Sequence, residues 1–294
     1  MRQKITGVLT AIVTCFDREG AYNPEAQREQ VKRQLDAGNG IFCGGTNGEF
    51  FVLNEQEKIA VTETCVDEVN GRAPVVAHIG EISTRETIRL GRQIAKLGVD
   101  AVSVITPYFV PLKQDELIYH YQTVADALDV PLFLYNIPAR TGNTLQPETV
   151  RTLASHPNII GIKDSAGSYE SLSGFIKAAE GIDNFDVLNG PDSLIHQGFV
   201  DGCSACISGL ANAAPKEINA IWTRFNAGDI EGSRAAQENV TGLRTDLYSI
   251  GFSRAAVKKA VALLGYDVGD SRYAVRFSAD EEQKIRQVVN QYLK

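Results

Sequence analysis

The run Ile159-Ile160-Gly161-Ile162-Lys163 ends on a lysine, and none of the other strand-like apolar runs in the chain contains one. An ammonium there is costly to desolvate, and burial lowers a lysine pKa towards neutrality. The neutral amine is the nucleophile that a Schiff base with a ketone requires. A structural ion pair with Asp164 or another carboxylate is the alternative that position alone leaves open. Tyr135 closes the preceding run, Leu132-Phe133-Leu134-Tyr135. Parallel neighbours lie about 4.8 Å apart, so a phenol and an amine at adjacent strand ends can meet. The phenol could then carry protons through carbinolamine formation and carbon–carbon bonding. A packed tyrosine with one satisfied hydroxyl is the plainer reading.

Two loops add polar groups. Gly44-Gly45-Thr46-Asn47-Gly48-Glu49 lets backbone amides approach a ligand closely and offers Thr46 and Asn47 as short donors to an anion. A tight strand exit would need glycines there anyway. In Pro138-Ala139-Arg140-Thr141-Gly142, Arg140 could fork a carboxylate, or could simply be a solvated surface arginine. His78, His120, His156 and His196 are far apart and show no metal-ligand spacing, and no nicotinamide or phosphate-loop signature is present. The expectation is a lysine-dependent mechanism without cofactor or metal.

These residues need elements to position them. Eight apolar runs bounded by Gly, Pro, Asn or Asp occur at Gly7–Thr14, Gly40–Gly45, Pro74–Gly80, Ala101–Pro107, Pro131–Ile137, Ile159–Ser165, Phe185–Gly190 and Ala205–Leu210. Their near-continuous apolar character suits strands buried on both faces of a parallel sheet. Helical spacing fills the gaps: Glu25–Ala37, about Asn54 to Asn70, Ser83–Leu97, Gln114–Leu128, Pro147–Ser155, Ser168–Ala179 and Ser193–Val200. The pattern predicts an α/β fold, a (β/α)8 TIM barrel over 1–224, with chemistry at the C-terminal strand ends. After Pro215 only helices follow, at Lys216–Ala227, Ile230–Ile250, Ser253–Leu264 and Ala279–Leu293. They predict a C-terminal helical extension over 225–294, packed with the barrel in one compact body.

Composition narrows the partners. The 294 residues carry 36 acidic and 29 basic side chains, a net charge of −7, with 44% hydrophobic residues. That balance argues against nucleic acid or an anionic membrane as the main partner. The densest basic run, Lys258-Lys259, is short, and no apolar stretch is long enough to span a bilayer. The start, Met1-Arg2-Gln3-Lys4, shows no signal-peptide cleavage pattern. Cys203 and Cys206 have C-x-x-C spacing, but no second pair supports zinc and no helix follows directly for redox chemistry. All five cysteines are expected buried and reduced, in a cytoplasmic protein.

At this point the chain resembles the dihydrodipicolinate synthase/N-acetylneuraminate lyase family of pyruvate-dependent class I aldolases. The resemblance rests on Gly45-Thr46-Asn47-Gly48-Glu49, Thr106-Pro107-Tyr108, Tyr135-Asn136-Ile137-Pro138, Gly161-Ile162-Lys163-Asp164 and Ile207-Ser208-Gly209-Leu210-Ala211-Asn212. It implies that Lys163 forms the Schiff base with pyruvate and that Tyr135 is the general acid/base. It implies that Thr46 and the amide of Asn47 hold the pyruvate carboxylate, and that Thr46 and Tyr108 relay protons. Gly190 and Ile207 match positions lining the pyruvate pocket, and a homotetramer is the usual assembly. Arg140 stands where the synthase branch meets the carboxylate of its aldehyde, which points to 4-hydroxy-tetrahydrodipicolinate synthesis. Asn47 and Phe50 depart from the threonine and serine usual in that branch, and Gly251-Phe252-Ser253-Arg254 replaces its proline-containing segment. A 2-keto-3-deoxy sugar acid aldolase, an N-acetylneuraminate lyase-like enzyme and a barrel that only binds a keto acid remain the alternatives.

Overall fold

A computed structural model describes residues 4–294; the Met1-Arg2-Gln3 start read above lies outside them. Eight parallel strands close in chain order: β1 (Gly7–Ala11), β2 (Gly40–Cys43), β3 (Val75–His78), β4 (Ala101–Ile105), β5 (Leu132–Asn136), β6 (Ile159–Asp164), β7 (Asp186–Asn189) and β8 (Ala205–Ser208). Between them run helices α1 (Pro24–Asp36), α2 (Glu55–Val69), α3 (Thr84–Ala95), α4 (Gln114–Asp126), α5 (Pro138–Thr141), α6 (Pro147–Leu153), α7 (Tyr169–Ala179) and α8 (Ile195–Val200). Four more follow the last strand: α9 (Pro215–Asn226), α10 (Ile230–Tyr248), α11 (Ser253–Leu263) and α12 (Ala279–Tyr292). This is a (β/α)8 barrel with C-terminal helices.

Local chemistry sets the element ends. Asn23 caps α1 by accepting from the Ala26 amide, with Pro24 in the first helical position. Asn54 and Glu57 form a reciprocal capping box on α2, at 2.9 and 2.8 Å. Every strand residue is buried, as the unbroken apolar runs required. The strands end before the runs do, because residues such as Ile12, Val13 and Pro107 are apolar but have left the strand. The four-residue helix α5 lies in the Pro138–Gly142 stretch, whose sequence shows no helical period.

By contacts the described chain forms two compact units, residues 4–6 with 74–207, and Gly7–Ala73 with Ser208–Lys294. In the first, Val76, Val102, Leu132, Phe133, Ile162 and Leu188 are fully or almost fully buried. A bulge at Ile160 gives β6 one extra residue against β5: Leu132 pairs with Ile159, whereas Phe133 pairs with Gly161. The shift brings Tyr135 opposite Lys163. Gly161 permits the close packing, since a Cβ there would lie 2.2 Å from the Asp186 carbonyl.

In the second unit, Asn212 ties the segment after β8 to the end of β1. Its amide donates to the Ala11 carbonyl at 2.8 Å and its carbonyl accepts from Val13 N at 3.0 Å. Ser233 of α10 donates to Ile221 O of α9, and Tyr292 of α12 donates to Asp246 of α10, both at 2.8 Å. The late helices are thereby bound to one another by specific polar contacts as well as apolar ones. No helix among the described residues is long and apolar enough to cross a membrane.

Candidate active site

Lys163 and Tyr135 meet. The Lys163 ammonium nitrogen lies 4.1 Å from the centre of the Tyr135 ring, over its face, and both residues are almost wholly buried, at 3% and 2% exposure. The ring's electron-rich face is a favourable neighbour for an amine whether it is neutral or charged. His78, at the end of β3, packs its ring edge-on against the same tyrosine, with centroids 5.8 Å apart.

The ion pair with Asp164 that the sequence left open does not form. Alternation along β6 sends the two side chains to opposite faces. One Asp164 oxygen accepts from Asn136 Nδ2 at 2.8 Å and from Ala166 N at 3.1 Å, while the other is buried without a hydrogen-bond partner. Burial raises the Asp164 pKa, and the Asn136 and Ala166 bonds, with the Ser171 hydroxyl nearby, oppose that shift.

The loops beyond β4 and β5 are cross-linked through Asn143. Its side-chain amide donates to Pro107 O at 2.7 Å and Val110 O at 2.8 Å, and its carbonyl accepts from Leu112 N at 2.8 Å. Thr106 donates to Thr141 at 2.9 Å beside it. This clamp fixes the backbone on either side of Tyr108, which is half-buried. Burial, with the Glu81 charge adding to it, pushes the Tyr108 phenol up to about 12, so it is neutral at physiological pH. Phe109 follows with φ of 78° and 90% exposure, an unusual conformation for a bulky residue. Arg140 is exposed near the end of α5. Gly190 follows β7; its amide donates to Asp164 O at 2.8 Å, and a Cβ would lie 2.1 Å from the Ser165 hydroxyl oxygen. Ile207 is buried on β8.

In the second unit, β2 runs into the glycine-rich loop. Gly44 takes φ of 64° and Glu49 takes φ of 58°, so a left-handed turn stands at each end. Thr46 is buried between them. Thr14 donates to Gly48 O at 2.6 Å, and Asn47 packs its side chain on Gly209, where a Cβ would lie 2.9 Å from its oxygen. Glu49 turns away from the loop into a buried ion pair with Lys258 of α11, at 2.9 Å.

The sequence suggests His78 only as a metal ligand, Glu49 only as a member of the glycine-rich loop and Lys258 only as half of a short basic run, and it gives no sign of Asn143. A histidine at a strand end and a glutamate closing a glycine-rich loop were the signals available. The five cysteines are buried and form no disulfide, and the described residues contain no cluster of three His, Cys, Asp or Glu able to hold a metal. Chemically, a buried amine on a buried phenol suits covalent catalysis on a carbonyl, with proton transfer by the phenol.

Comparison with known proteins places the chain in a family. The chain matches the dihydrodipicolinate synthetase family over residues 4–292. A 4-hydroxy-tetrahydrodipicolinate synthase of Trichlorobacter lovleyi is 36% identical over 288 residues, covering 97% of this chain and 98% of the relative. An uncharacterised DapA-like lyase of Halobacterium salinarum is 36% identical over 278 residues, 94% of this chain and 90% of the relative. Among solved structures, YagE, an Escherichia coli K12 prophage protein of the dihydrodipicolinic acid synthase family in complex with pyruvate, is similar with a TM-score of 0.93. That match has 29% identity and covers 99% of each chain. The barrel, the late helices and the lysine-bearing strand all fall within these matches, and the chain belongs to the dihydrodipicolinate synthetase family, whose members are pyruvate-dependent lyases of the class I aldolase type.

Proposed function

We propose that Lys163 bonds to pyruvate and that the protein joins the resulting enamine to an aldehyde bearing a carboxylate, as a 4-hydroxy-tetrahydrodipicolinate synthase does. The observation that supports this most is the buried Lys163 nitrogen resting on the Tyr135 ring at matched strand ends. The neutral amine attacks the ketone carbon, and the carbinolamine loses water to give an iminium. That iminium draws electrons from the pyruvate methyl, which gives up a proton, and the enamine carbon attacks the aldehyde. Hydrolysis returns the amine. Tyr135 supplies and removes the protons, with Thr46 and Tyr108 as a relay. Thr46 and the Asn47 amide hold the pyruvate carboxylate, Gly190 and Ile207 line the pocket, and Arg140 receives the carboxylate of the aldehyde.

We assign the protein to the cytoplasm as a homotetramer. The exposed Phe109 and Val110 beside Tyr108 suit coverage by a neighbouring subunit. A second reading, cleavage of a 2-keto-3-deoxy sugar acid to release pyruvate, draws support from Asn47. Its amide against Gly209 brings no second hydroxyl to the relay.

Borohydride added with pyruvate is expected to fix about 72 Da on Lys163, read by peptide mass spectrometry. Label on another residue, or none, would remove the proposal. Assay of pyruvate with aspartate semialdehyde, against release of pyruvate from 2-keto-3-deoxy acids, separates the two catalytic readings. A protein that only binds a keto acid would turn over neither.

A further inference from the structure

Glu49 closes the loop that carries Thr46, and its conformation is an uncommon one for a residue with a side chain. The residue is 1% exposed, and its carboxylate takes one donor on each oxygen. Oε1 accepts from Lys258 Nζ at 2.9 Å and Oε2 accepts from the Arg272 backbone amide at 2.9 Å. Lys258, 2% exposed, also donates to Asp270 O at 3.2 Å and sits over the Phe16 ring at 4.1 Å. Arg272 pairs through its guanidinium with Glu57 of α2 at 2.6 Å. The loop is therefore fastened at its far end to two segments more than two hundred residues later, and at Gly48 to Thr14.

A buried ion pair is a poor way to gain stability, because desolvation offsets most of the attraction. Its worth lies in geometry: only one loop position satisfies both carboxylate oxygens. There is an electrostatic reason too. A bare Glu49 carboxylate three residues from Thr46 would repel an anion held by that residue, and Lys258 neutralises it. Burial draws the Lys258 pKa down, and the Glu49 charge opposes that shift.

We propose that Glu49 and Lys258 are positioning residues that clamp the Thr46–Asn47 loop and set the affinity for pyruvate, without taking part in the chemistry at Lys163. This rests on the pyruvate-binding reading above. The experiment is borohydride trapping against pyruvate concentration for the wild type, Lys258→Met, Glu49→Gln and the double variant, each checked for a cooperative thermal melt. Half-saturating pyruvate is expected to rise about tenfold or more in both single variants, with the trapped fraction at saturation preserved.

An unchanged half-saturation in a folded variant would overturn the clamp. So would shifts of opposite sign in the two single variants, which would make the effect one of net charge rather than position. Loss of trapping at saturating pyruvate in a folded variant would place the pair in the chemistry, and also overturn it. If the variants do not fold, hydrogen exchange on the wild type decides. Pyruvate is expected to slow exchange in the 44–53 and 268–273 segments together, and protection of the first alone would refute the coupling. Absence of trapping in the wild type is a separate result, and would remove the Schiff-base reading itself.

Discussion

His120 makes the packing of α3 against α4 sensitive to acid. Its ring is 3% exposed, its Nδ1 lies 2.8 Å from the Thr84 hydroxyl, and its Nε2 is buried without a partner. A proton added there charges a ring that no carboxylate receives, and burial lowers the pKa from 6.5 to about 4. The unfolded chain thus binds more protons than the native one between those values, so stability is lost as pH falls through that window. The full difference is worth about 3 kcal/mol, of which about 2 is lost between pH 7 and pH 4.5. Urea unfolding followed by circular dichroism, at one protein concentration, measures it at both pH values. His120→Gln removes the titration, so the variant is expected to lose about 2 kcal/mol less than the wild type on acidification. Parallel losses in the two proteins would show that the ring is not the acid-sensitive group.

Further outcomes follow from the site. Tyr135→Phe keeps the ring under Lys163 and removes the phenol, so turnover is expected to fall about 10²–10⁴-fold, measured under saturating substrate, while trapping persists at a slower rate. Lys163→Ala is expected to abolish both turnover and trapping; residual trapping would point to another amine. Arg140→Ala is expected to weaken an acidic aldehyde by roughly 10–100-fold and a neutral one little, read as kcat/KM for each. Gly161→Ala drives a methyl into the Asp186 carbonyl and the Phe133 ring, and is expected to cost about 3 kcal/mol or more in a melt.

The eight strands were legible because a strand buried on both faces leaves an unbroken apolar run, and Ile159 to Ile162 is such a run. The same feature hid the bulge at Ile160. A run without alternation carries no mark of which residues face inward, so the register shift was invisible, although Tyr135 and Lys163 could be matched as neighbouring strand ends. Lys163 itself was legible from its polarity against that background. The α5 helix was missed because four residues cannot display a helical period. Lys258 read as half of a small basic run, yet it is buried, since its partner Glu49 stands 209 positions away and nothing local announces it. Asn143 escaped for a similar reason: its partners at Pro107 and Val110 belong to the preceding strand–helix unit.

The pairing of Glu49 with Lys258 also has a temporal side. During synthesis the Gly44–Glu49 loop emerges from the ribosome long before α11 and Arg272 exist, so its carboxylate must wait more than two hundred residues for its partners. At a translation speed of about 5–20 residues per second, that interval lasts tens of seconds or less. A chain truncated before Lys258 therefore keeps the lysine-bearing strand but lacks the two partners that fasten its loop.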